Sequence, residues 1–143
     1  MLKNLPKTTQ EKLKNIYSPE EWEIVIQGFS QEKRPTTLRV NTLKSSNEEI
    51  ESILQEKNIH FEKIPYLSNG YKLSEAKEKD LWDLDIFTSG KIYLQWITSQ
   101  LTWEIIAKDI KNQDIKVLDL TAAPGGKTSH ISALLENNGE IFA

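Results

Sequence analysis

The chain has 143 residues, 38% hydrophobic and 27% charged, which suits one modest soluble domain or two small ones and not a disordered segment. A formal net charge of −3 argues against a stand-alone nucleic-acid binder, and the absence of cysteine excludes disulfides and cysteine-ligated metals. Two histidines are too few for a metal cluster, no apolar run is long enough to span a bilayer, and the opening Met-Leu-Lys-Asn-Leu-Pro-Lys has no apolar core of signal-peptide length, so no metal, no membrane and a cytoplasmic location are expected.

Residues 1–33 read as helical. Thr8 or Thr9 is placed to cap a first helix with Leu13, Ile16 and Tyr17 on one side. Ser18-Pro19-Glu20-Glu21 then sets a cap, a first-turn proline and two first-turn acids before Trp22, Val25, Ile26 and Phe29, which recur at helical period. Residues 36–43 alternate polar and apolar and predict a strand. Leu38 and Val40 point one way along it, and Arg39, Asn41 and Leu43 the other. Ser45-Ser46-Asn47-Glu48-Glu49 is a capping sequence for an amphipathic helix through Ile50, Ile53 and Leu54 to about Lys57. Strands are expected at 59–64 and 70–73, joined through Pro65 and Ser68-Asn69-Gly70. Residues 75–80 suggest a short helix or turn, and Trp82, Leu84, Ile86 and Phe87 are expected to seal a junction between subdomains. A strand at 91–94 and a helix bearing Ile97, Leu101, Ile105 and Ile106 follow, and then a turn at 111–114. Trp22, Trp82, Trp96 and Trp103 read as core or interface anchors, with Trp96 the one to test for RNA contact.

Residues 115–128 carry most of the chemical information: Ile-Lys-Val-Leu-Asp-Leu-Thr-Ala-Ala-Pro-Gly-Gly-Lys-Thr. An apolar strand runs to Asp119, a turn of small residues follows, and a helix begins near Thr128. This is the layout of a strand–turn–helix nucleotide site, where small residues admit a ligand to the backbone and a helix N-terminus offers unpaired N–H donors. Gly126-Lys127-Thr128 also ends a phosphate-binding P-loop, but that motif needs glycine or alanine where Thr121 stands. The three-glycine dinucleotide fingerprint fails as well, at Thr121 and Ala123. A loop for S-adenosylmethionine (SAM), which has no phosphate to cradle, fits better. The plain alternative is a corner whose small residues serve packing only. His130 is expected on the helix surface, and His60 is expected to be structural.

The segment Asp-Leu-Thr-Ala-Ala-Pro-Gly-Gly-Lys-Thr-Ser-His resembles the cofactor motif of the Sun/Fmu family of RNA (cytosine-5) methyltransferases. Arg34-Pro-Thr-Thr-Leu-Arg-Val-Asn-Thr-Leu-Lys44 and Gly90-Lys-Ile-Tyr-Leu-Gln95, the latter followed by Thr98-Ser99, resemble two upstream blocks of the same family. The resemblance spans roughly residues 30–143. It implies an α/β fold in three parts: a helical segment at 1–33, a small α+β RNA-recognition-like subdomain at 34–89, and the start of a Rossmann-like methyltransferase domain at 90–143. It implies SAM as cofactor, held by Asp119, Thr121, Ala122, Ala123, Pro124, Gly125, Gly126 and Lys127, and rRNA or tRNA as substrate. Asp119 is expected to fix the turn or receive the ligand's ammonium.

Arg39, Asn41 and Gln95 are the candidate RNA contacts. For Arg39 and Asn41 the alternatives are an ion pair with a carboxylate and the fixing of a turn, and for Gln95 the ordering of a loop near the cofactor entrance or a plain bond to backbone. The family attacks C6 of cytosine with a cysteine thiolate and uses a second cysteine for release. Neither is present, and the ribose-binding acid would fall about 20 residues past the loop, beyond Ala143. The chain is therefore expected to be a truncated N-terminal part with no catalytic residue of its own. Ile131, Leu134 and Leu135 are expected to keep apolar surface with few partners. A non-catalytic RNA- or partner-binding module is the competing reading.

Overall fold

The computed structural model describes residues 6–30, 34–110 and 115–143. The turn expected at 111–114 and the end of the helical segment at 33 lie outside the described residues. Contacts divide the chain into two units, 1–34 and 35–143.

The first unit is a helix pair, α1 (Lys7–Ile16) and α2 (Pro19–Ser30). The start of α1 differs from expectation: Pro6 occupies the cap position without a side-chain acceptor, so neither Thr8 nor Thr9 caps it. The start of α2 is a reciprocal capping box. Ser18 N–H donates to Glu21 Oε2 at 2.8 Å, and Glu21 N–H donates to Ser18 Oγ at 3.2 Å. Two N–H groups that the helix cannot pair internally are thereby satisfied.

In the second unit, β1 (Thr36–Val40), α3 (Asn47–Glu56), β2 (Phe61–Lys63), β3 (Gly70–Leu73), α4 (Asp85–Thr88) and β4 (Ile92–Leu94) follow in the order βαββαβ. A 3-10 turn at Glu78–Asp80 precedes α4. The sheet order is β2-β3-β1-β4, antiparallel throughout, which is the split βαβ arrangement of RNA-recognition-like folds. β1 ends three residues before the expected strand does. Asn41 turns the chain: its Oδ1 accepts from Leu43 N–H at 3.3 Å and its carbonyl accepts from Lys44 N–H at 2.9 Å. β4 belongs to this sheet.

Alternation sorts the strands into two faces. Leu38, Val40, Tyr71, Leu73 and Ile92 point inward, where Ile50 and Leu54 of α3 meet them together with Leu81 and Ile86. Each such aliphatic side chain, taken fully from water, contributes about 1.5–3 kcal/mol. Ser46 caps α3 by accepting from Glu49 N–H at 3.2 Å. Ile86 joins this core and Trp82 is exposed, so the 82–87 stretch does not act as a junction seal as expected.

The register puts Thr37, Arg39, Gly70, Lys72 and Tyr93 on the opposite face. In an RNA-recognition sheet such a face stacks bases. Here Gln100 of α5 (Ile97–Ile110) reaches Gly70, and Gly126 and Ser129 of α6 (Gly126–Leu134) reach Tyr93 and Arg39. Gln100 of α5 is buried, its Nε2 donating to Leu38 O at 3.4 Å and Gln95 O at 2.7 Å. β5 (Lys116–Leu118), α6 and β6 (Glu140–Phe142) form a βαβ unit with parallel pairing, Lys116 opposite Glu140 and Leu118 opposite Phe142. Ile131 and Leu135 are buried and Leu134 is half-buried, so little of the apolar surface expected there is left open. The unit exposes the large apolar side chains of Leu118, Leu120 and Phe142.

Candidate cofactor site

β5 delivers Asp119 to a loop that returns at the N-terminus of α6. The Asp119 carboxylate latches both sides of that loop. Oδ2 accepts from Thr128 Oγ1 at 2.7 Å, and Oδ1 accepts from Thr121 N–H at 3.0 Å. These hydrogen bonds favour the ionised form, so Asp119 sits below the usual carboxylate range, the Thr128 hydroxyl being the larger cause. Asp119 N–H is itself held by Phe142 O at 2.8 Å, which ties the loop to the end of β6.

The two glycines differ in what they do. Gly125 has φ 101°, a left-handed value that side chains rarely adopt, and a Cβ placed on it would meet nothing within 4 Å. It caps α6 and brings no side-chain acceptor, so the first-turn N–H groups face an open approach. Gly126 is close-packed: an added Cβ would lie 3.0 Å from Tyr93 Cε1 and 3.2 Å from its hydroxyl. Thr121, Ala123, Pro124 and Lys127 are exposed, and Ala122 is half-buried. The Ala123–Pro124 peptide bond is cis.

The expected RNA contacts are placed otherwise. Arg39 is 1% exposed and Gln95 6%. Arg39 Nε donates to Gln95 Oε1 at 2.9 Å, Nη2 donates to Ser129 Oγ at 3.1 Å, and the guanidinium carbon stands 5.9 Å from the centre of the Tyr93 ring. Among the described residues no carboxylate pairs with it. A buried guanidinium bonded in this way presents nothing to an RNA phosphate, and its acceptors are neutral rather than the carboxylate of the alternative reading. Burial lowers its pKa to about 10, which leaves it charged at neutral pH. Asn41 Nδ2 donates to Gly90 O at 3.0 Å, so Asn41 fixes the turn. His130, expected on the helix surface, is 2% exposed with no hydrogen-bond partner on Nδ1. Burial, and then the neighbouring Arg39 charge, push its pKa down to about 3, so the ring is neutral. A histidine three positions before a buried alanine on an apolar helix face was the available sequence signal. Among the described residues no three metal-ligating side chains gather into a site.

Residues 5–96 match the family described as the N-terminal domain of 16S rRNA methyltransferase RsmF, which covers more than half of the chain. The chain belongs to that family. Residues 105–143, which hold the Asp119 loop, match a second family, 16S rRNA methyltransferase RsmB/F. Ribosomal RNA small subunit methyltransferase F of Shewanella oneidensis is 38% identical over 108 residues, 75% of this chain and 22% of the relative. The chain thus spans about a quarter of the length of the curated relatives it matches. The crystal structure of PH0851 superposes with TM-score 0.78 at 29% identity, over 95% of this chain and 29% of that one. The crystal structure of NSun6 from Pyrococcus horikoshii with SFG gives TM-score 0.74 at 21% identity, over 95% of this chain and 57% of that one, a likeness of fold. The residues matched to the RsmF N-terminal domain include the whole split βαβ sheet, and α5 and α6 follow them in the chain.

Proposed function

We propose that this RsmF-type chain supplies the substrate-side subdomain and the SAM-binding corner of an enzyme that methylates C5 of a cytosine in small-subunit ribosomal RNA, in the cytoplasm. The observation that carries the reading is the Asp119 latch on Thr121 and Thr128 beside an open Gly125 at a helix N-terminus. It fits SAM because the first-turn N–H groups of α6 suit the carboxylate of an amino-acid moiety, and the small residues 121–126 leave room for it. Bound SAM would supply an electrophilic methyl group. Asp119 keeps the loop in one shape, Gly125 leaves the approach clear, and the exposed Lys127 adds positive charge at the mouth. The relatives named for ribosomal RNA support that substrate over transfer RNA.

The sequence contains no cysteine, so the thiolate that adds to C6 is not among these residues. That same absence favours, for this chain by itself, the reading of a non-catalytic binding module. Calorimetric titration with SAM tests the proposal. Binding that weakens at least tenfold in Asp119→Ala and is lost in Gly125→Val supports it. Affinities unchanged by both substitutions would overturn the assigned site.

A further inference from the structure

We propose that Gln95 is a positioning residue for the cofactor loop, transmitting the place of the buried Arg39 on β1 to the first turn of α6. This rests on the SAM-site reading above and adds to it the device that holds the loop.

The geometry is directional. A guanidinium has only donors, so the end of the Gln95 amide that faces Arg39 must be its oxygen. With Oε1 accepting from Arg39 Nε at 2.9 Å, Nε2 is turned toward α6, where it donates to Gly126 O at 3.4 Å. Ser129 closes a second route: its hydroxyl accepts from Arg39 Nη2 at 3.1 Å and donates to Gly126 O at 3.4 Å. Both routes leave Arg39 and converge on one carbonyl.

Gln95 is itself anchored. Its N–H donates to Thr37 O at 3.2 Å, and its carbonyl accepts from Thr37 Oγ1 and Gln100 Nε2, each at 2.7 Å. Tyr93 supplies the stop, since its ring lies where a Cβ on Gly126 would go. The first turn of α6 is thus pulled by Gln95 and Ser129 and blocked by Tyr93, all referred to β1 and β4. The orientation of the ligand-facing N–H groups follows from that turn.

Gln95→Glu separates the two ends of the amide. The carboxylate still accepts from Arg39, but it has no donor for Gly126 O. The expected result is a melting temperature at or above that of the parent chain, at least tenfold faster hydrogen exchange at the Ser129 and His130 amides, and at least fivefold weaker SAM binding. Exchange at Leu38 in β1 should be unchanged. Ser129→Ala is the second variant, should Gln95→Glu not fold: it removes the other donor to Gly126 O, so exchange at Ser129 and His130 should rise at least fivefold more than at Leu38, while the melting temperature falls because Arg39 Nη2 loses an acceptor. Unchanged exchange at Ser129 and His130, or a rise matched at Leu38, would overturn the inference. If the parent chain binds no SAM, the site reading fails, and the exchange pattern still decides the role of Gln95.

Discussion

Arg39 and Gln95 lie 56 residues apart in sequence and hold each other inside the molecule, Nε to Oε1 at 2.9 Å. Among the described residues no carboxylate pairs with the charged guanidinium, so its hydrogen bonds to neutral oxygens offset much of the cost of desolvation. Arg39→Lys tests that account. A lysine has one nitrogen and cannot span Gln95 and Ser129 together. The variant should lose about 2 kcal/mol of stability in urea denaturation, the scale of a hydrogen bond to a charged group. A surface RNA contact would leave stability within about 0.5 kcal/mol of the parent.

Gly125 and Gly126 are adjacent and should fail for different reasons. Gly125→Ala meets open space and pays only for the left-handed backbone, a strain of about 1–3 kcal/mol. Gly126→Ala has a helical backbone, where alanine is favoured by about 1 kcal/mol, but it drives a methyl onto Tyr93 at 3.0 Å. Combining each with Tyr93→Leu separates the two. The Gly126→Ala variant should regain stability in that background, and the Gly125→Ala variant should not. Thermal denaturation of the four variants reads this, and equal responses to Tyr93→Leu would contradict it.

The local order of this fold was legible because local chemistry sets it. The Ser18 and Ser46 caps, the alternation of Leu38 and Val40, and the Asp119–Gly125 corner all announce themselves within a few residues. The fate of the outer sheet face was not legible. Arg39 looks like a surface cation in any short window, and only the docking of α5 and α6 turns it inward. His130, beside Arg39, is buried with it. Gly126 reads as a ligand-approach glycine until Tyr93 is seen beneath it, because that contact spans 33 positions of sequence.

His130 makes stability depend on pH. In the unfolded chain it takes up a proton near 6.5, and in the folded chain only near 3. Between those values the unfolded state binds more protons, so stability is fully present above pH 6.5 and is lost as the pH falls toward 3, by at most about 1.4 kcal/mol per unit. Carboxylates titrate in part of the same range, so the comparison is with His130→Gln. The loss of stability between pH 7.5 and 5 should be about 2 kcal/mol smaller in the variant than in the parent. Identical losses in urea midpoints would show that His130 is not the group responsible.

α6 and the two strands beside it should differ in protection, although they form one βαβ unit. α6 buries His130, Ile131 and Ala133, and a helix so buried resists local opening. β5 and β6 form a sheet of two strands, each three residues long, and expose Leu118, Leu120 (84% accessible) and Phe142. A two-stranded sheet has little to oppose local opening, and unpaired strand edges invite association. Native-state hydrogen exchange should therefore show the Leu134 and Leu135 amides protected nearly as well as those of β1, and Val117 and Ile141 protected at least a hundredfold less. The weak protection should rise with protein concentration if edges pair between molecules, and Leu120→Lys should suppress that rise. Protection at Val117 equal to that at Leu38 in dilute solution would mean that the two strands are stabilised by contacts beyond the pairing seen here.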